Sequence, residues 1–286
     1  MNFNKQALAP GLYFVATPIG AARDITLRAL DVLASADVIA AEDTRSMRHL
    51  MEIHGVPLDG RRVLSYHDHS PQGARDALLV ALKEGRSVAY ASEAGMPLIA
   101  DPGYDLSREA AAAGHRVTVA PGASAALAAL TLGGLATDSF FFGGFLPNAA
   151  QARRNRLTEL AAIPGTLVLY ESPNRIAASL ADACAVLGPE RPAALCRELT
   201  KKFEEVRRDT LEGLCASVAE RPPKGEIVLL IDRRRSEIVK EADLEEDIRQ
   251  ALAQMSVKDA ADLVSKAHGL PRRKVYQIAL AMAKEG

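Results

Sequence analysis

The sequence predicts an α/β protein: two α/β segments, with boundaries expected at 1–123 and 124–236, followed by a small helical tail at 237–286. Three observations carry this. Up to Ala120, short apolar runs alternate with helical patterns, and each run ends in a polar or Gly/Pro stretch. After Gly133-Gly134 the runs become aromatic or end in charged clusters, which sets the second segment apart. Beyond Arg233-Arg234-Arg235 only amphipathic helical periodicity remains.

Gly11-Leu12-Tyr13-Phe14-Val15-Ala16 is the first strand and stops at Thr17-Pro18-Ile19-Gly20. A helix then runs from about Asp24 to Ala36, capped by Asp24 or Thr26, with Leu27, Leu30 and Leu33 along one face. Asp37-Val38-Ile39-Ala40-Ala41 is the second strand and meets Glu42-Asp43-Thr44-Arg45 directly. A helix carrying Met47, Leu50 and Met51 reaches Gly55, and Arg62-Val63-Leu64-Ser65-Tyr66 is the third strand, leading into His67-Asp68-His69-Ser70. Ser87-Val88-Ala89-Tyr90-Ala91 is the fourth, and Val117-Thr118-Val119-Ala120 ends in Pro121-Gly122-Ala123-Ser124. Polar ends on the same side of every strand imply a parallel sheet with a ligand cleft at its carboxyl edge.

The stretch Ser92-Glu93-Ala94-Gly95-Met96-Pro97-Leu98-Ile99-Ala100-Asp101-Pro102-Gly103 lies at that edge, between the fourth strand and a helix running from Asp105 to Ala113. Connections of this kind usually take two to six residues, so its length favours a ligand loop over an ordinary turn.

In the second segment, Phe140 to Pro147 is an aromatic strand and Gln151-Ala152-Arg153-Arg154-Asn155-Arg156 opens a basic helix. Strands follow at Thr166–Tyr170, ending in Glu171-Ser172-Pro173-Asn174-Arg175, and at Ala193–Cys196, ending in Arg197-Glu198-Leu199-Thr200-Lys201. Lys224-Gly225 leads into Glu226-Ile227-Val228-Leu229-Leu230-Ile231. In the tail, helices are expected at Leu244–Ala253, at Lys258–His268 before Gly269-Leu270-Pro271, and from Arg272-Arg273-Lys274 onward. Three short helices with a Gly turn and a basic third element suggest a helix-turn-helix-like unit; packing on a core and contact with nucleic acid are both open to it.

Composition narrows the function. Lys+Arg number 35 against 36 Asp+Glu, so no global basic field draws the chain to nucleic acid, and any such contact needs a local patch. The opening Met1-Asn2-Phe3-Asn4-Lys5-Gln6 lacks the apolar core of a signal peptide, and no apolar run has membrane-spanning length, so a cytoplasmic protein is expected. Cys184, Cys196 and Cys215 lack zinc-site spacing and are expected to be reduced core thiols. His67 and His69 alternate on an extended segment and cannot close a metal site alone, so no metal is expected. A P-loop, a G-x-G-x-x-G fingerprint and a G-x-S-x-G elbow are all missing, which argues against an NTPase, a dinucleotide enzyme and a serine hydrolase.

Seven ordered blocks remain. They are Thr17-Pro18-Ile19-Gly20, Ala41-Glu42-Asp43-Thr44-Arg45, Asp101-Pro102-Gly103, Gly144-Phe145-Leu146-Pro147, Tyr170-Glu171-Ser172, Arg197-Glu198-Leu199-Thr200-Lys201 and Lys224-Gly225-Glu226. Together they resemble the ribosomal RNA small subunit methyltransferase I family, a branch of the tetrapyrrole methylase (class III methyltransferase) superfamily, from about Leu12 to Asp232. The resemblance implies two α/β domains with S-adenosyl-L-methionine folded into the cleft between them, the first domain also serving the RNA side. It implies 2′-O-methylation of a cytidine in the decoding region of 16S rRNA, on the small ribosomal subunit, by a homodimer.

On that basis the expected cofactor-binding residues are Pro18, Ser92, Glu93, Ala94, Gly95, Met96, Ser124, Ala125, Tyr170, Arg197 and Glu226. A ribose hydroxyl is a poor nucleophile, so a positioned base is expected among Glu42, Asp43 and Asp101, with His67 a further possibility. Arg45, Arg153, Arg154, Arg175 and Lys201 are the expected RNA contacts, and a solvated helix face is the alternative for Arg153 and Arg154. The chain departs from the family pattern at Ala21, Glu93, Met96 and Ala123: Glu93 replaces the family's Asp with a side chain one methylene longer, and Met96 removes a hydroxyl. Two other readings stay open, a C-methyltransferase acting on a corrin or siroheme precursor and a ribosome-assembly factor without catalysis.

Overall fold

The apolar runs of the first segment zip into one sheet in a computed structural model that describes residues 2–67, 72–233, 241–268 and 272–285. Strands β1 (Gly11–Val15), β2 (Val38–Ala41), β3 (Val63–Ser65), β4 (Ser87–Ala91) and β5 (Val117–Ala120) are all parallel, in the order β3-β2-β4-β1-β5. The three inner strands are buried along their whole length, which is why their sequences are continuously apolar rather than alternating.

Helices α1 (Leu27–Ser35), α2 (Thr44–Ile53), α3 (Gln72–Lys83) and α4 (Tyr104–Ala112) cover both faces. Leu30, Leu33, Met47 and Met51 pack with Tyr13 and Val15 on one side; Leu78, Leu82 and Leu106 pack with Leu12 and Phe14 on the other. Neighbouring β1 residues thus feed opposite cores, as the period of a strand requires. Thr26, not Asp24, caps α1, its hydroxyl accepting from the Ala29 N–H at 3.1 Å.

The second segment forms a mixed sheet from β6 (Phe140–Phe145), β7 (Thr166–Glu171), β8 (Pro192–Arg197), β9 (Glu205–Thr210) and β10 (Ile227–Ile231), ordered β6-β7-β10-β8-β9. Only β6 and β7 are parallel; the other pairs are antiparallel. Helix α5 (Ala125–Gly133) packs Ala126, Ala129 and Leu130 against Val168, Ala194 and Leu230. The opposite face is covered by α6 (Ala150–Leu160), α7 (Ile176–Leu187) and α8 (Leu211–Glu220) through Leu157, Ile176, Leu180 and Leu214. Ile19, from the loop after β1, joins the α5 core, so the two sheets share packed residues.

Strand β9, Glu205-Val206-Arg207-Arg208-Asp209-Thr210, is not expected from the sequence because it lacks an apolar run. It is an edge strand, paired to β8 alone, and charged side chains suit an edge.

The chain divides into two compact units, 1–233 and 234–286. In the second, α9 (Glu241–Leu252), α10 (Val257–His268) and α11 (Arg272–Glu285) enclose Leu244, Ile248, Ala261, Val264, Val275 and Ala279. Asp68, His69, Arg234, Arg235 and the Gly269-Leu270-Pro271 turn lie outside the described residues. Among the described residues no helix is long and apolar enough to cross a membrane.

The cysteines are free thiols, but only Cys196 is fully buried. Cys184 on α7 and Cys215 on α8 are half-buried with sulfurs 3.4 Å apart. Burial, then the neighbouring thiol, pushes Cys184 up to about 12, so it stays protonated at neutral pH.

Candidate functional site: a cleft at the carboxyl edge of the parallel sheet

The loops following β1 and β4 are tied to each other. Thr17 and Gly95 exchange backbone hydrogen bonds, N–H to carbonyl in both directions at 3.0 Å. The Ser92 hydroxyl donates to the Gly95 carbonyl at 2.9 Å, and the Thr17 hydroxyl donates to the Ser92 carbonyl at 3.2 Å. The long loop thus folds back over the sheet edge. Its course needs left-handed backbone at Gly95 (φ 82°) and Gly103 (φ 115°), and also at Leu98 (φ 72°) and Ala100 (φ 61°). A non-glycine residue in that region is uncommon and marks local strain, which clusters at functional sites.

The second sheet closes the other side. Ser124 and Ala125 at the start of α5, the turn after β7, the loop after β8 and the entry to β10 complete a cleft of about 660 Å³. The Ala21 N–H donates to the Thr200 hydroxyl at 3.1 Å, joining the two halves at the rim. Thr200 (φ 62°) and Glu198 (φ 50°) are also left-handed, so both sides of the cleft carry strained backbone.

Nine of the eleven expected cofactor residues line this cleft: Pro18, Glu93, Ala94, Gly95, Met96, Ser124, Ala125, Tyr170 and Glu226. Ser92 is buried beneath the loop and braces it. Arg197 is not among the wall residues; its guanidinium donates to the Lys224 carbonyl at 2.9 Å and to Glu205 at 3.1 Å.

Of the three carboxylates expected to act as base, Glu42 and Asp101 are on the wall. Asp43 instead caps α2, accepting from the Arg45 and Ser46 N–H groups at 2.7 and 3.1 Å. Those two bonds, that from Ser46 first, hold its carboxyl below the usual range. Glu42 accepts from the Glu93 N–H at 3.4 Å. Burial raises the Tyr170 phenol against an opposing hydrogen bond from the Ala126 backbone, and the charges of Asp101 and Glu226 raise it further. Asp101 and Tyr170 thus line the same cleft from the two different sheets.

Lys201 is the cation on the wall, its ammonium 3.0 Å from both Glu198 and Glu226. Burial works against its charge, but the hydrogen bonds to Glu226 and Glu198 outweigh it and raise its pKa. Arg45 is the most exposed of the expected RNA contacts, with 90% of its side chain accessible.

Arg153 is placed differently from a solvated or RNA-facing residue. It is buried, donates to Asp182 at 2.7 Å, and also reaches the Pro147 and Asn148 carbonyls. Arg154 meets the other oxygen of Asp182 at 2.8 Å from a half-exposed position. Arg175 donates to the Leu146 carbonyl and stands 3.3 Å from Glu171. These side chains join α6 to α7 and the β6 loop to the β7 loop, which a sequence with widely separated partners cannot disclose.

Replacing Asp182 by Asn is expected to cost about 3 kcal/mol, because it leaves a buried guanidinium without its anion. Burial opposes ionisation of Asp182, but hydrogen bonds from Arg154 and Arg153 outweigh it and hold the carboxyl below the usual range. Its contribution is therefore present above the ordinary aspartate pKa of about 3.9 and fades as pH falls through the lower folded value. Thermal melts of Asp182→Asn and the unaltered chain should differ clearly at pH 7 and converge in acid.

The wall also includes Ile19, Gly20, Ile99, Phe145, Glu171 and Leu199. All lie at strand ends or in the loops that follow strands, and that position is the signal that identifies them.

Family models and relatives agree with this architecture. A model described as Tetrapyrrole (Corrin/Porphyrin) Methylases matches residues 11–215, and one described as RsmI C-terminal HTH domain matches 239–283. The protein named Ribosomal RNA small subunit methyltransferase I in Mesorhizobium japonicum is 46% identical, over 94% of this chain and 91% of its own. Its namesake in Vibrio cholerae is 42% identical, over 94% of both chains. Among solved structures, diphthine synthase aligns with a TM-score of 0.61 at 19% identity, over 78% of this chain and 90% of its own. Cobalt precorrin-4 methyltransferase aligns with a TM-score of 0.58 at 18% identity, over 77% and 94%. Uroporphyrin-III C-methyltransferase from Thermus thermophilus, complexed with S-adenyl homocysteine, aligns with a TM-score of 0.54 at 22% identity, over 77% and 96%. The structural likenesses establish the fold; the identities over nearly the whole length establish the branch. The chain belongs to the ribosomal RNA small subunit methyltransferase I family of the tetrapyrrole methylases.

Proposed function

We propose that this chain methylates the 2′-hydroxyl of a cytidine in the decoding region of 16S rRNA, using S-adenosyl-L-methionine. The observation that carries the reading is the two-sided cleft, where Gly95 is clamped to Thr17 while Glu42 and Asp101 lie on the same wall. The names of the relatives support an RNA substrate, and the bound ligand of the Thermus thermophilus structure supports the cofactor class.

The cleft fits such a cofactor. Its volume of about 660 Å³ falls within the range of sites for ligands of this size. A Cβ on Gly95 would stand 3.3 Å from Ile19, another wall residue, so the bare backbone leaves ligand space that a side chain would fill. Gly95, Met96, Ser124, Ala125 and Tyr170 would hold the cofactor, which supplies an electrophilic methyl group on a sulfonium.

Because that methyl is already reactive, the protein's contribution is alignment and proton removal. We assign the proton-accepting role to Asp101, which lines the cleft on the long loop, while Glu42 is engaged by the Glu93 N–H. Glu42 braces the Glu93 N–H and holds the long loop. Arg45 supplies local positive charge to phosphates, Lys201 being held by Glu198 and Glu226, and the tail at 237–286 adds a further RNA contact through Arg272, Arg273 and Lys274. Segments 1–123 and 124–236 act as the two walls of one site, and the enzyme works as a cytoplasmic homodimer.

The test is methyl transfer from labelled S-adenosylmethionine to 30S particles, with nucleoside analysis of the 16S rRNA. Label in 2′-O-methylcytidine is the expected result. Label on a base, or label only when a corrin precursor replaces the particle, would overturn the assignment. Calorimetric silence with the cofactor would favour an assembly factor.

A further inference from the structure

Strand β6 contains an irregularity whose effect is to re-aim one side chain. Its register to β7 runs Phe142 to Val168 and then Gly144 to Leu169, so Gly143 is an extra residue. Bulges of this kind occur beside active sites and change the face to which later residues point. Both glycines are required. A Cβ on Gly143 would lie 2.7 Å from the Leu169 side chain, and Gly144 has φ 63°.

Were all six residues of β6 paired in regular alternation, Gly143 included, Phe145 would fall on the face of the sheet occupied by Phe141. With it, Phe145 pairs with Tyr170 and lies at the cleft, its ring 5.7 Å from the Tyr170 ring at a steep angle. Phe142 meets the same tyrosine at 5.0 Å. Phe145 nevertheless remains 56% exposed.

It is also held in place. The next residue, Leu146, is buried, and its carbonyl accepts from Arg175. Beyond its edge contact with Tyr170, a ring left this exposed on a fixed backbone at the mouth of a ligand cleft gains little from packing, since turning it into the sheet would bury more apolar area. Proteins that bind single-stranded RNA use such rings as stacking platforms for splayed bases.

We infer that Phe145 is a positioning residue that stacks on a nucleobase of the RNA substrate and thereby sets the ribose before the methyl donor. This rests on the proposed RNA methyltransferase reading. The chain has no tryptophan, so Phe145→Trp places a single tryptophan at the site, which can be excited selectively over the tyrosines. Its emission is expected to be quenched by protein-free 16S rRNA and left unchanged by S-adenosylhomocysteine. Quenching by S-adenosylhomocysteine alone would overturn the inference by placing the ring against the cofactor, and no response to 16S rRNA would overturn it outright.

Kinetics supply the second readout. Phe145→Ala is expected to raise the KM for 30S particles about tenfold, in line with stacking energies of about 1–3 kcal/mol per base, with unchanged cofactor affinity by calorimetry. Phe145→Trp should restore the lower KM and Phe145→Leu should not; equal rescue by leucine would show an apolar cover rather than a stack. Failure of the underlying reading is distinguishable: the unaltered chain would then transfer no methyl to the particle, while the fluorescence titration would still report on stacking.

Discussion

Gly95→Arg is expected to abolish cofactor binding while leaving a folded protein. Gly95 has φ 82°, where an L side chain costs roughly 1–2 kcal/mol. Any Cβ there stands 3.3 Å from Ile19 and 3.5 Å from the Ala123 carbonyl, so a longer side chain must project into the cleft. The backbone bonds to Thr17 do not involve a side chain, and Gly95, though buried, belongs to none of the hydrophobic clusters of the two sheets. Calorimetry with S-adenosylmethionine should show no heat of binding, with circular dichroism unchanged. Gly95→Ala separates the two costs, since it carries the backbone strain without filling the cleft and should weaken binding only about tenfold. Undiminished affinity in the arginine variant would remove the central loop from the site.

Asp101→Asn is expected to lower kcat by about 10²- to 10⁴-fold, the usual contribution of a positioned base. Cofactor affinity should stay within a few fold, because asparagine keeps the shape and the loop backbone is fixed elsewhere. Glu42→Gln should have a smaller effect on kcat, because the amide oxygen still accepts from the Glu93 N–H. If the two variants exchange these behaviours, Glu42 is the base and Asp101 the support.

The parts of the fold set by local pattern were legible in the sequence. The β1, β2 and β4 runs are close to continuously apolar because inner parallel strands between two helical layers have two buried faces. The edge strand β9 was not legible, because its residues satisfy a sheet edge and a helix surface equally well in composition. The cleft was legible as a place: loops of unusual length and glycine content end on one side of a parallel sheet. Individual roles were less so. Arg153, Arg154 and Arg175 share a charge with Arg45, but Asp182 and the Leu146 carbonyl, which occupy them, are 28 and 29 residues away from Arg154 and Arg175. Phe145 depends on one extra residue in a strand, and a count of apolar residues does not reveal register.

The left-handed backbone at Leu98, Ala100, Glu198 and Thr200 bears on how this protein tolerates change. Each such residue sits above its preferred conformation by roughly 1–2 kcal/mol. A laboratory selection for heat resistance would therefore find gains at the rim of the cleft sooner than in the well-packed cores. Ala100→Gly is the plainest instance: it relieves the strain, offset by the larger unfolded-state entropy of glycine, for a net gain under about 1 kcal/mol. The same change loosens the residue before Asp101, so a hardier protein should emerge as a slower catalyst. Melting temperature and kcat measured on that one variant would reveal whether thermal hardiness and turnover are opposed at this rim.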